Sequence, residues 1–335
     1  IHFADGSTRA PGLDLSIDQP DVTPGARIQC WGDSLTFGNQ DGTGTSFPDE
    51  LATLTGILIF NRGIGGQTSK QIAMRQGGNV ARVTVTGNTI SSGANTITHI
   101  DAVELSTSGG MAADKDQPFP LSSQGNNTTI AARVRIQGVS GTLRRSAAGG
   151  PPSTSESYTF TPDADATLPA NCPAQSPMLF LTEELQGDIS ILWLGRNDQT
   201  ETDQIKDGIA ACVSRIERKG GRYLVLSVLT GDYDPEEYGP SGSRYLTTVG
   251  LNNDLEALYT DRYLDVRRLL ITEGLPRAGI TPTAQDTIDI GNDVPPDSLR
   301  HDAIHLNAAG YGVVAQLINE KLRALGWIPG WVTAA

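Results

Sequence analysis

Four apolar runs, residues 27–31, 57–61, 189–194 and 222–229, each end near a glycine, and helix-like stretches separate them; this alternation constrains the fold more than any other feature. Short apolar runs bounded by turn residues read as strands buried on both faces, and amphipathic stretches between them read as crossover helices. Helices are expected over residues 47–54, 68–76, 205–219, 251–259 and 308–325. Gly77-Gly78 stops the second and Gly220-Gly221 the third, as glycine past a helix end does. One more short strand is expected at residues 263–266. The fold class that follows is α/β, a doubly wound parallel sheet with helices on both faces. Such sheets bind ligands beyond the carboxyl ends of their strands.

Between residues 80 and 178 the texture changes. Residues 82–86, 95–100, 132–136 and 158–161 alternate apolar with polar, and Gly, Ser, Asn and Pro separate them, which is the writing of β-hairpins. The expected organisation is a flavodoxin-like α/β core made of residues 1–79 and 179–335, with an arm at 1–25, and an inserted antiparallel β-rich domain at 80–178. The insert is expected to pack on the core or to meet a second subunit in an oligomer; roofing of the site and carbohydrate binding are the alternatives. It contains no tryptophan, which weakens a sugar-stacking role.

Gly32-Asp33-Ser34-Leu35 places a serine at the mouth of the first strand. A serine hydroxyl is a poor nucleophile near neutral pH unless an imidazole takes its proton and a carboxylate fixes the tautomer of that imidazole. Asp302-Ala303-Ile304-His305, just before the last helix, supplies both groups. Asp302 can curl back onto one ring nitrogen of His305 and leave the other for Ser34. Donors for a developing oxyanion are expected where glycine turns follow strands: Gly66 in Asn61-Arg62-Gly63-Ile64-Gly65-Gly66, and the Asn197 amide in Gly195-Arg196-Asn197-Asp198. Asp33, Tyr233, Tyr238 and His301 are the candidate substrate contacts, and the loops at residues 231–248 and 281–300 are expected to shape specificity. His301 and His305 flanking an acid imitate a zinc-protease pattern, but Pro295 and Pro296 lie shortly upstream and that motif needs a helix.

Four blocks in this order resemble the SGNH, or GDSL-type, hydrolase superfamily: Gly32-Asp33-Ser34, Gly66, Gly195-Arg196-Asn197-Asp198, and Asp302-Ala303-Ile304-His305. The resemblance covers roughly residues 25–80 and 180–325. It implies a serine esterase whose oxyanion hole uses the Ser34 and Gly66 NH groups with the Asn197 amide. Gln67 departs from the pattern, since many relatives carry aspartate there. The 131 positions from Gly66 to Asn197 exceed what a minimal member needs, in keeping with an insert.

The formal charge of −13 disfavours nucleic-acid and anionic-membrane partners. No apolar stretch reaches the length of a membrane span, residues 1–25 are too polar for a signal peptide, and the compartment stays open. Cys30, Cys172 and Cys212 cannot all pair within one chain and read as buried or incidental thiols, with one bridge left open. The expected activity is hydrolysis of short-chain carboxylic esters through an acyl-enzyme, with no cofactor or metal. An acylated small molecule or carbohydrate is the expected substrate, acetyl on a sugar the favoured form. Lipase, thioesterase or arylesterase activity is the alternative within the superfamily. A glycan-binding surface or virion component with a residual hydrolase core is the alternative outside it.

Overall fold

The computed structural model describes residues 27–38, 42–101, 103–104, 120–121, 129–146, 157–181, 188–232 and 239–329. In chain order it begins with β1 (Ile28–Gly32), α1 (Ser34–Phe37), α2 (Phe47–Thr55), β2 (Ile59–Gly63) and α3 (Ser69–Gln76). Short strands follow: β3 (Ala81–Val85), β4 (Thr89–Ile90), β5 (Asn95–Ile100), β6 (Val103–Glu104), β7 (Thr129–Ile136), β8 (Val139–Ser146), β9 (Ser157–Pro162), β10 (Ala170–Asn171) and β11 (Ser176–Phe180). The last part runs β12 (Ile189–Trp193), α4 (Thr202–Arg218), β13 (Arg222–Leu226), α5 (Ser243–Tyr259) and β14 (Tyr263–Leu264). It closes with α6 (Val266–Ala278), α7 (Ala284–Gly291) and α8 (Ala308–Ala324).

Five parallel strands build the core in the order β14-β13-β12-β1-β2. Counted within the core, that is the 2-1-3-4-5 order of flavodoxin-like sheets. Side chains that alternate along each strand feed two separate apolar clusters. Ile28, Cys30, Ile189, Ile191, Leu224 and Leu226 face α2, α6 and α8, and Trp31, Leu192, Leu194, Tyr223 and Val225 face α3, α4 and α5. The period of two across strands buried on both faces is what makes the sheet doubly wound.

The second sheet is antiparallel. Its strands run β3-β11-β7-β8-β9-β5, and a further β3–β5 pairing closes these six into a barrel, with β6 added to β5. Closure removes the free edges that an open sheet would present. Val83, Val85, Ile97, Val134, Ile136, Leu143, Tyr158, Phe160 and Met178 fill its interior. Met74 of α3 belongs to this cluster, whereas Ile72 and Ala73 of the same helix belong to the core. Helix α3 is thus packed from both sides, and all its residues but Lys70 are buried.

Several local expectations are corrected. Strand β2 runs from Ile59 to Gly63, two residues later than its apolar run predicts. Gly63 pairs with Gly32, and a Cβ on Gly63 would lie 2.2 Å from the Phe37 nitrogen, so glycine here permits close packing of strand on α1. The loop expected at 231–248 ends in helix, because α5 starts at Ser243. The strand expected at 263–266 forms as β14 over Tyr263–Leu264 and gives way at Val266 to α6, capped by the Asp265 carboxylate on the Arg268 NH. Gly274 and Pro276 disguise that helix in the sequence. Gly274 lets Leu299 approach, since a Cβ there would meet it at 2.5 Å, and Pro276 sits in the last turn before the left-handed Gly279. Helix α7 arises inside the stretch expected as a proline-rich loop, started by a capping box of Thr283 and Asp286. All three cysteines are buried thiols, so no bridge forms. Among the described residues no helix is long and apolar enough to cross a membrane.

Candidate active site

Strands β2, β1 and β12 lie side by side, and the three sequence blocks Gly66, Ser34 and Asn197 each follow the carboxyl end of one of them. Parallel pairing alone therefore gathers residues that the sequence scatters. Gly32 ends β1 where a Cβ would lie 2.6 Å from the Trp193 carbonyl and 2.0 Å from Thr36 Oγ1, so glycine lets the chain turn sharply there. Asp33 then caps the single turn α1, accepting from the Leu35 NH at 2.9 Å, and Ser34 opens that turn.

Asp302 and His305 form a tight turn. Asp302 Oδ1 accepts from the Ile304 and His305 NH groups, both at 2.7 Å, and Oδ2 faces His305 Nδ1 at 2.8 Å. His305 Nε2 lies 2.9 Å from Ser34 Oγ, a contact across 271 positions of sequence. With Nδ1–H donating to the carboxylate, Nε2 is left as the acceptor for the serine proton; this tautomer follows from the hydrogen-bond network. Burial opposes the charge on Asp302, but the bonds from the His305 and Ile304 NH groups and from the imidazole outweigh it and hold this carboxyl below its ordinary range. A serine, imidazole and carboxylate in this chain can carry nucleophilic acyl transfer.

The turn is held from behind by Arg300, which is buried. Its guanidinium donates to the Pro295 carbonyl at 2.7 Å, to Asp289 at 2.6 Å and to the Asp302 carbonyl at 3.3 Å. Asn307 caps α8 and reaches back to the Ser298 and Arg300 carbonyls, and the Asp232 NH donates to the Ala303 carbonyl.

On the opposite wall, Asn197 Nδ2 donates to the Gln67 carbonyl at 2.9 Å, tying the third block to the residue after Gly66. Gly66 itself has φ +79°, a left-handed turn that suits glycine. The Gln67 side chain accepts from Arg75 Nε at 3.0 Å and donates to the Pro120 carbonyl at 2.8 Å. The next residue, Asp198, is fully buried, and it accepts from the Ser69 NH and hydroxyl and from Gln204. Burial pushes its pKa up against those bonds. Asp33 is pushed up to about 7, by burial first and by the Asp198 charge as well, against the Leu35 NH bond and the Arg196 charge.

The expected contacts divide. Asp33 is corrected: at 1% exposure its carboxylate serves the backbone of α1 and does not open to a ligand. His301 is exposed, with its NH on the His305 carbonyl. Tyr233 and Tyr238 lie outside the described residues. Tyr245, from the same expected loop, donates its hydroxyl to Asp293 instead. Sequence reasoning gave no role to Arg75, Arg300 or Asp198, although Asp198 closes the third motif block. Among the described residues no group of three or more His, Cys, Asp or Glu is arranged as a metal site.

No family model matches the chain. A tail spike protein of Salmonella phage epsilon15 is 27% identical over 148 residues, or 42% of this chain, and the chain spans 13% of the length of that curated relative. Solved structures similar to the chain include a GDSL-like lipase from Bacteroides thetaiotaomicron, with 14% identity, a TM-score of 0.41 and 93% of each chain covered. Another is a G-D-S-L family protein from Desulfitobacterium hafniense, with 13% identity, a TM-score of 0.43, and 89% of this chain and 99% of that one covered.

Proposed function

We propose that the chain is a serine ester hydrolase of the SGNH type. The observation that carries this reading is the Ser34–His305–Asp302 chain, with contacts of 2.9 and 2.8 Å. Ser34 Oγ attacks the ester carbonyl while His305 Nε2 takes its proton, and Asp302 holds the resulting imidazolium. The Ser34 and Gly66 NH groups and the Asn197 amide hold the oxyanion. His305 then returns the proton to the departing alcohol, leaving an acyl-enzyme. Water, deprotonated by the same imidazole, releases the acid and restores Ser34.

The tyrosine- and acid-rich sequence of residues 231–242, just before α5, supports a polar leaving group, and acetyl carried on a carbohydrate is the form proposed. Ser34→Ala is expected to abolish turnover of a chromogenic acetate ester with the circular-dichroism spectrum unchanged, and on wild type the rate is expected to fall with acyl length. Retained turnover in Ser34→Ala would end the assignment.

A second reading is favoured by the tail spike relative: the chain belongs to a virion or surface component that binds glycan, with a residual hydrolase core. A fluorophosphonate probe separates the two. Label on Ser34 together with ester turnover supports the enzyme; an unlabelled protein that still retains glycan supports the binder.

A further inference from the structure

Residues 301–305 carry the imidazole and its carboxylate, yet none of the five is buried; the fully buried Leu306 comes only after them. Burial of apolar side chains therefore does not seat this loop. The bonds that Asp302 Oδ1 accepts from the Ile304 and His305 NH groups lie inside it, as does the bond from the His301 NH to the His305 carbonyl at 2.8 Å. Such bonds fix the shape of the loop. Its placement against the turn that carries Ser34 needs ties that leave the loop.

Among the described residues, two bonds reach the carbonyls of the loop from outside it. The Asp232 NH, beyond the carboxyl end of β13, donates to the Ala303 carbonyl at 2.9 Å, and Arg300 Nη1 donates to the Asp302 carbonyl at 3.3 Å. Arg300 is itself fixed from three directions. Its Nε donates to the Pro295 carbonyl at 2.7 Å, and its Nη2 to Asp289 Oδ2 of α7 at 2.6 Å and to Asp232 Oδ2 at 3.4 Å. Both side chains of the Arg300–Asp289 pair are buried, at 3% and 2% exposure, and Asp289 Oδ1 accepts from Gln285 Nε2 at 2.7 Å. A planar guanidinium held on several fixed acceptors has little freedom left, and a lysine, with one flexible point charge, cannot span the same set.

We infer that Arg300 is a positioning residue for the acid–base pair: by pinning the Asp302 carbonyl to α7 and to the chain beyond β13, it keeps the Asp302 carboxylate on His305 Nδ1 and His305 Nε2 within reach of Ser34. The inference rests on the ester-hydrolase reading for its effect on rate, but not for the placement of the imidazole. Arg300 bonds to neither Ser34 nor the His305 ring, so it acts through geometry alone. Misplacing a reacting pair by about 1 Å costs on the order of 10²-fold in rate.

The test compares wild type with Arg300→Lys and with the double variant Arg300→Met, Asp289→Leu, which removes both buried charges together and leaves neither unpaired. On a chromogenic acetate ester each variant is expected to lose about 10- to 100-fold in kcat, with KM changed by less than about twofold. Proton NMR of the same samples reads the His305 Nδ1 proton, which its bond to a carboxylate moves far downfield; the resonance is assigned by its loss in His305→Gln. It is expected in wild type and is expected to broaden or vanish in both variants. Circular dichroism checks folding, and Arg300→Lys, which keeps a charge beside Asp289, decides alone if the double variant unfolds. Wild-type kcat in the folded variants, a loss confined to KM, or a fall in kcat with the downfield resonance unchanged would overturn the positioning role. A wild type that neither turns over the ester nor takes a fluorophosphonate label, but whose resonance is lost in the variants, would sink the hydrolase reading and leave the placement of the imidazole by Arg300 standing.

Discussion

Asn197 and Asp33 sit in the two walls of the site and are tested in opposite ways. Asn197 spends one amide hydrogen on the Gln67 carbonyl, which orients the group and leaves the other for an oxyanion. Asn197→Ala is expected to lower kcat by about 10²- to 10³-fold with little change in KM, the effect of losing a donor used in the transition state. Steady-state kinetics on an acetate ester checks this, and a change confined to KM would contradict it. Asp33 reports on pH. Its folded pKa, about 7, lies above the unfolded value, so the stability it contributes is fully present below about pH 4 and is lost as pH rises through about 7. Asp33→Asn retains an oxygen for the Leu35 NH and does not ionise. Its stability relative to wild type is expected to rise by roughly 4 kcal/mol at most between pH 4 and pH 8, read from urea midpoints.

At the level of elements, α7 anchors the Asp302–His305 turn at a distance. Asp286 accepts from the Thr283 NH and hydroxyl at its own helix start, and from the Ser298 NH and hydroxyl in the 3₁₀ turn Asp297–Leu299 that leads to Arg300. Burial opposes its charge, but these four bonds prevail and hold its pKa at about 2. The contribution is present above the unfolded value near pH 4 and is lost as pH falls through about 2. Asp286→Asn is expected to cost about 2 kcal/mol at pH 7 and almost nothing at pH 2, measured by urea unfolding at both. An equal loss at both pH values would place its role in packing instead. The prolines that flank this helix, Pro282, Pro295 and Pro296, read as loop and mask it in the sequence. A capping box, Thr283 to Asp286, was the available signal, and it is shorter by one carbon than the common glutamate form.

Across the whole molecule, α3 is the hinge of the architecture, since Ile72 and Ala73 enter one apolar cluster and Met74 the other. Core and barrel are expected to unfold together. Met74, 3% exposed, should cost about 2–5 kcal/mol on truncation to alanine and lower both parts of the melt at once. Differential scanning calorimetry checks this: two separated transitions, with one untouched by Met74→Ala, would contradict the shared helix. The Gln67 bond to Pro120 lies along the same seam.

What could be read from the amino-acid order is whatever depends on near neighbours. Apolar runs of period two, glycine stops and the Asp302–His305 spacing are local, so the parallel core, the antiparallel texture of the middle and the names of Ser34, Asp302 and His305 were all legible. The 2.9 Å approach of Ser34 to His305 was not, because only the side-by-side stacking of β2, β1 and β12 and the packing of α8 against the sheet bring those ends together. The same holds for Asp33, whose motif reads as exposed but whose carboxylate is buried under α1, and for Arg75, whose charge meets Arg62 only after β2 and α3 pack. Periodicity sets which face of an element is apolar; which charged groups then meet is decided by the folded neighbours, over distances that sequence separation does not encode.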